Sequence, residues 1–422
     1  MKKATFVISI AVMLSTAIQA QTKLDVVVRP RLEYRDGFSQ PSSTNDIGAT
    51  FIQQRTRLAL TTKIKKVEIK LVPQDVRVWG QVPSLNANDG LNSLHEGWMK
   101  FQLDSAGKWS VKLGRQELVY DDSRILGNVD WAQQGRSHDA GLISFKNEKI
   151  KLDVVMGYNQ NGVGRTGNLY DLQNQTKGLQ MIHLSTKFKN IKSSYLIMNN
   201  VFQDSDGTLK IYALQTIGTF NKYISQNSKF SGDLAIYGQF GQLSSGAQSS
   251  SFLAALHFGY KVKKIKLELG GEIISGTDMN GSSTKSNSFN PIFGTNHKFN
   301  GLMDYYYVGN HSNSVGLIDL SFRVIAPLSK KLKLIGMIHQ FNGAAKITKN
   351  NEEYSSDLGQ EVDVVIKYNL NDNIKLVMGY SQYFSTSSLS VVKGLTNVSS
   401  LNQWGWLMIT GNVSKIFKEN RN

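Results

Sequence analysis

Glu361-Val362-Asp363-Val364-Val365-Ile366-Lys367-Tyr368-Asn369-Leu370 sets Val362, Val364, Ile366, Tyr368 and Leu370 on one parity and Glu361, Asp363, Lys367 and Asn369 on the other. Successive side chains of an extended chain leave opposite faces of a sheet, so this segment has one apolar face and one charged face. Lys149 to Tyr158 repeats the pattern, with Ile150, Leu152, Val154, Met156 and Tyr158 opposed to Lys151, Asp153 and Gly157. Ile374, Leu376, Met378 and Tyr380 do so again opposite Lys375 and Ser381. One face suits lipid and the other suits water. Stretches of about ten residues alternating in this way are the mark of a transmembrane β-barrel.

The alternation recurs from Lys23 almost to the end of the 422 residues, in segments from 23–35 through 66–79, 137–146 and 249–262 to 401–413. The count is about eighteen, an even number as a single-chain bacterial barrel requires. The expected fold is therefore all-β, a transmembrane antiparallel barrel with short periplasmic turns and long extracellular loops. Turns such as 63–66, 189–190 and 371–372 alternate with long stretches rich in Gly, Asn and Ser. The longest, about 277–313, ends near Tyr305, Tyr306 and Tyr307. It either folds into the pore or over its mouth, or stays on the surface with a tyrosine girdle at its foot.

No segment offers the ~18 to 20 uninterrupted apolar residues of a spanning helix. A mean hydropathy of -0.27 is likewise too polar for a helical membrane bundle. Residues 1–20, with Lys2 and Lys3 before an apolar run that ends near Ala20, read as a secretory signal, leaving 21–422 as the barrel. Cysteine is absent and prolines number six, which suits an exported chain of strands and turns. The net charge of +16 comes from dispersed lysines, with short runs at 63–66 and 261–264 that read as solvated turns, so nucleic acid is not an expected partner.

Arginine is spread unevenly. Arg29, Arg31, Arg35, Arg55, Arg57, Arg77, Arg115, Arg124 and Arg136 fall in the first third, and only Arg165, Arg323 and Arg421 follow. On the first strand Leu24, Val26, Val28, Leu32 and Tyr34 share the lipid parity, which turns Asp25, Arg29, Arg31, Glu33 and Arg35 inward. On the second, Leu58 and Leu60 turn Arg55 and Arg57 inward. Val67, Ile69 and Leu71 share one parity but Val76 and Val78 the other, so a register shift near Pro73 should bring Asp75 and Arg77 into the same wall. Gly114 should do the same for Arg115.

A guanidinium presents a planar fork of donors matched to carboxylate, stays charged and is weakly hydrated. Lumenal Glu33, Asp75 and Asp139 would hold those forks and keep an anion from binding too tightly to leave. The expected substrate path is Arg29, Arg31, Glu33, Arg55, Arg57, Asp75, Arg77, Arg115, Arg124, Arg136 and Asp139. The other reading makes the same charges a structural ladder that stiffens the wall.

Enzyme signatures are weak. Gly162, Gly164 and Gly167 spell G-x-G-x-x-G, but the polar 168–176 stretch cannot open a Rossmann helix. His95, His138, His183, His257, His297, His311 and His339 lie far apart, and no G-x-S-x-G elbow occurs. No catalysis, metal or cofactor is expected. The expected partners are outer-membrane lipid, the barrel-assembly machinery and an acidic saccharide or carboxylate. A second hypothesis keeps the barrel but makes it non-conducting, with outer loops that bind a surface partner or polysaccharide.

Leu113-Gly114-Arg115-Gln116-Glu117-Leu118-Val119-Tyr120, continued by Arg124-Ile125-Leu126-Gly127, Asp130-Trp131 and Gly135-Arg136-Ser137-His138-Asp139, resembles the signature of the alginate export family of outer-membrane barrels. Arg55-Thr56-Arg57-Leu58, Asp75-Val76-Arg77-Val78-Trp79-Gly80, Thr295-Asn296-His297-Lys298-Phe299 and Leu358-Gly359-Gln360-Glu361-Val362-Asp363 look like further blocks of it. The resemblance implies an eighteen-stranded barrel with an arginine-lined, anion-selective pore that exports a polyuronate. Arg57, Arg77, Arg115, Arg124, Arg136 and Asp139 are the positions that match its motifs.

Overall fold

The computed structural model describes residues 20–85, 90–170, 175–204, 210–306 and 314–418. The expected signal segment, Tyr307, His311 and Arg421 lie outside the described residues, save Ala20 at the segment's end. Eighteen long strands follow one another: β1 (Ala20–Asp36), β2 (Ala49–Ile64), β3 (Val67–Val78), β4 (Asn92–Gln102), β5 (Trp109–Gln116) and β6 (His138–Lys146). Next come β7 (Ile150–Tyr158), β8 (Gly178–Phe188), β9 (Ile191–Gln203), β10 (Ile211–Ile224), β11 (Phe230–Gln242) and β12 (Gln248–Val262). The last are β13 (Ile265–Ile274), β14 (Leu317–Pro327), β15 (Leu332–Asn342), β16 (Asp357–Asn369), β17 (Ile374–Ser385) and β18 (Leu401–Lys418).

Each strand pairs antiparallel with the next, and β18 returns to β1 with Val26 opposite Val413 and Asp36 opposite Gln403, so the barrel is closed. Closure removes the sheet edge, and in hydrocarbon no unpaired backbone edge is tolerated. Eight links at one end are short, from the two residues between β2 and β3 to the six between β4 and β5. The long connections gather at the other end.

Alternation decides which way every strand faces. Val362 and Val364 of β16 are exposed on the outside, while Glu361 and Asp363 have no exposed surface. Leu58, Leu60, Ile182, Ile197, Leu256, Leu269 and Leu320 are likewise exposed outward, forming the apolar band. Phe230 lies 4.9 Å from Tyr260 near the short turns, part of an aromatic girdle.

The packed core is inside the barrel. Phe289, Met303 and Tyr305 from the 275–316 connection are fully buried, together with Phe341, Tyr383 and Trp404 of the wall. That connection therefore turns inward, and the alternative of a surface loop fails over its described part. Tyr305 stacks on Tyr383 at 4.0 Å and donates to Gly37 O at 2.7 Å, while the Tyr306 and Tyr383 hydroxyls bond at 2.7 Å. A short helix, α1 (Ser387–Lys393), closes over this cluster. The Thr386 side chain accepts from Leu389 N at its start, and Gly394 at φ +65 ends it.

A lumenal arginine cluster as candidate functional site

The connection from β5 to β6, residues 117–137, also folds into the lumen. Apolar Leu118, Ile125 and Leu126 are buried there, and the loop is stitched to the 275–316 connection by backbone bonds. Gly127 N donates to Phe293 O, and Thr295 N donates to Ser123 O, each at 2.9 Å. Trp131 stacks on His297 at 4.5 Å and meets Trp404 and Trp406 edge-on. Two polar loops thus share one aromatic joint across the bore.

Onto this joint the first two strands aim four guanidinium groups. Arg29 Nε donates to Gln133 Oε1 at 3.1 Å, and its Nη2 donates to Ala132 O at 3.3 Å. Arg31 lies over the Trp131 ring at 4.1 Å and donates to Trp131 O at 2.7 Å. Arg57 donates to Gln74 Oε1 at 2.8 Å and Gln134 O at 3.0 Å, and Arg55 to Gln133 O at 3.4 Å. Arg29 and Arg55 stand directly opposite each other in the register, an unfavourable pairing of like charges unless an anion lies between them. Asp130 supplies it, 2.9 Å from Arg55, 3.3 Å from Arg29 and 3.8 Å from Arg57. Gly135 closes the segment at φ +64, a left-handed conformation that favours glycine, and an added Cβ would sit 2.7 Å from Arg57 Nη2 and push that guanidinium aside.

The remaining expected residues lie in four places. Glu33 is fully buried between Arg31 at 2.7 Å and Arg35 at 2.8 Å, the arrangement foreseen for an orienting carboxylate. Arg115 and Asp139 correct the expectation: the pairing runs through Gly114 without a register shift, so they share the outward parity of exposed Leu113 and Ile143 and pair with each other there at 2.9 Å. With Arg136, Tyr170 and Gln175 they line a polar cavity of about 580 Å³, and Arg136 Nη1 donates to Gly294 O at 3.2 Å. Arg124 is on the inturned loop, not the wall, and is buried against Glu272 and Asp122. Burial alone would lower its proton affinity, but those two carboxylates outweigh it and hold the guanidinium above its ordinary range.

Asp75 and Arg77 correct the expectation. The register shift does occur opposite Pro73, but the extra residue is His95 on β4, between Glu96 and Leu94. The pairing of β3 with β2 runs on without a shift, so Gln74 and Val76 oppose inward Arg57 and Arg55. Asp75 and Arg77 consequently share the outward parity with Thr56 and Gln54, where they pair with each other. Exposed Trp79, whose Nε1 donates to Gln54 Oε1 at 3.1 Å, marks the same face.

The sequence reading missed Asp130 and Gln133 as partners of the cluster, and it missed a lysine belt near the short turns. Lys63, Glu68, Lys100 and Lys112 stand side by side across β2 to β5, as do Lys187, Lys192, Lys222 and Asp233 across β8 to β11. Lys333 opposes Lys367 across β15 and β16. Lysine recurring on the polar parity a few residues from each turn was the available signal. Lys222, Lys298 and Arg323 line a cavity of about 200 Å³ with Asp122, Asp233 and Glu268. Burial lowers the proton affinity of Lys298.

A closed eighteen-stranded barrel with an apolar exterior and loops turned into a charged lumen defines a porin-type barrel of the outer membrane. The chain belongs to the alginate export family, whose match covers residues 28–389. Solved structures share the fold at low identity. OccK10 (OpdN) of Pseudomonas aeruginosa is 11% identical with a TM-score of 0.62, covering 93% of this chain and 99% of that one. OccK11 (OpdR) of the same organism is 13% identical with a TM-score of 0.59, over 93% and 96%. OpdK of Pseudomonas aeruginosa, solved with vanillate, is 11% identical with a TM-score of 0.59, over 93% and 99%. No curated protein matches the sequence significantly. Family and fold neighbours together indicate a transport barrel of the outer membrane rather than an enzyme.

Proposed function

We propose that this barrel is an anion-selective channel, exported by its N-terminal signal, that passes acidic saccharides or small carboxylates across the outer membrane. One observation carries the reading: Arg29, Arg31, Arg55 and Arg57 converge on the 117–137 loop that is turned into the lumen. Fixed guanidinium forks in a low-dielectric bore attract carboxylates and replace part of their hydration shell. The lysine belt extends the positive field toward the periplasmic end. Vanillate, the molecule solved with OpdK, is itself a carboxylate. The lipid of the outer membrane and the barrel-assembly machinery are the partners this architecture calls for.

Planar-bilayer recording of the full chain under a salt gradient tests the reading. A reversal potential of anion-preferring sign is expected, and a cation preference overturns it. The tightly packed interior around Phe289, Met303 and Tyr305 favours a second reading, a barrel that binds ligands on its loops without conducting. Absence of current even after removal of residues 278–313 would select it.

A further inference from the structure

Three features of the arginine cluster go beyond attraction of anions. Arg29, Arg55 and Arg57 bring three positive charges to a single carboxylate, Asp130, whose side chain keeps 55% of its surface exposed. Other groups hold them as well. Arg29 is held by Gln133 Oε1, Trp131 O and Ala132 O, Arg57 by Gln74 Oε1 and Gln134 O, and Arg55 by Gln133 O. Arg55 Nε, finally, is buried and has no hydrogen-bond partner, although almost none of the residue is exposed. A buried guanidinium N–H left without an acceptor is uncommon and costly.

We infer that Arg29, Arg55 and Arg57 form a carboxylate-binding site whose present occupant is the chain's own Asp130, and that a permeating carboxylate takes its place. The inference rests on the anion-channel reading and specifies how its central site is regulated. Arg29 and Arg57 are preorganised by these other partners, so the site keeps its geometry when one carboxylate replaces another between the opposed Arg29 and Arg55. Asp130 leaves easily, since one side of it already meets solvent and only the Arg55 contact is as short as 2.9 Å. A tethered competitor acts at an effective concentration on the order of millimolar, which weakens capture of a free carboxylate to the range that permits release. The planar two-oxygen shape of Asp130 in the forks favours carboxylate over a spherical anion.

The experiment measures block of the chloride current through the reconstituted full chain by glucuronate, with glucose as the uncharged control. Asp130→Asn should lower the half-blocking glucuronate concentration about tenfold, equivalent to about 1.4 kcal/mol. Glucose block should not move. Asp25→Asn, which removes a negative charge beside Lys23 instead, should leave the glucuronate value within twofold of wild type. Arg55→Gln in the otherwise native chain should raise that value at least tenfold, and it serves as the independent measurement if Asp130→Asn does not assemble. Unchanged glucuronate block in Arg55→Gln, or an equal shift in Asp25→Asn and Asp130→Asn, overturns the inference while anion selectivity stands. Cation selectivity of the native channel removes the reading beneath it.

Discussion

Glu33 and its partners show what the arginines do besides attract anions. The carboxylate accepts from Arg31, Arg35 and the Trp404 indole at 2.7 to 3.0 Å and has no exposed surface. Arg31→Met should destabilise the barrel by about 1–3 kcal/mol, because it leaves one buried oxygen of Glu33 without its charged donor while Arg35 and Trp404 still hold the other, as read by urea titration in detergent micelles. Arg31 thus pairs with a fully buried carboxylate, as a structural ladder would have it, whereas Arg29, Arg55 and Arg57 face a carboxylate that is half open. At this scale the sequence was legible wherever strict alternation held. Arg29, Arg31, Glu33, Arg55 and Arg57 all turn inward on parity alone. Asp75 and Arg77 were misassigned because a one-residue bulge on a neighbouring strand looks, from one strand's sequence, the same as a bulge on its own.

The elements differ sharply in how openly the sequence displays them. β16 and β7 announce themselves, since lipid demands an apolar residue at every second position. The inward folding of the 117–137 and 275–316 connections does not, because their Gly, Asn and Ser content would suit solvent equally and their partners lie far away in the chain. Met303 N, for instance, donates to Glu361 Oε1 at 2.8 Å. Two predictions belong here. Leu256 lies exposed on the outer face of β12, so Leu256→Arg should cost about 2–4 kcal/mol of stability in a bilayer, with a smaller penalty for Leu256→Gln. The second concerns α1. Burial depresses the Lys393 amine to about 8, although it donates to Tyr305 O at 2.6 Å. Its folded value lies below that of the unfolded chain, so the penalty is full at neutral pH and is relieved as pH climbs from about 8 to about 10.4. The melting temperature should rise over that interval, and Lys393→Met should flatten the rise.

At the scale of the whole molecule, the wall and its filling are separable. Strand pairing is complete around the barrel without help from the inturned loops. Replacing residues 278–313 by a short Gly-Ser linker should therefore preserve the β-sheet circular dichroism signal and raise single-channel conductance. Loss of the β signal would mean that the filling holds up the wall. The pairing of β1 with β18 carries a further consequence for biogenesis. The opening strand can close on its neighbour only once the whole stretch from residue 37 to residue 400 lies between them, so maturation is all-or-none. A chain interrupted before Leu401 would present two raw flanks to hydrocarbon and should be cleared by proteolysis instead of accumulating as a smaller pore.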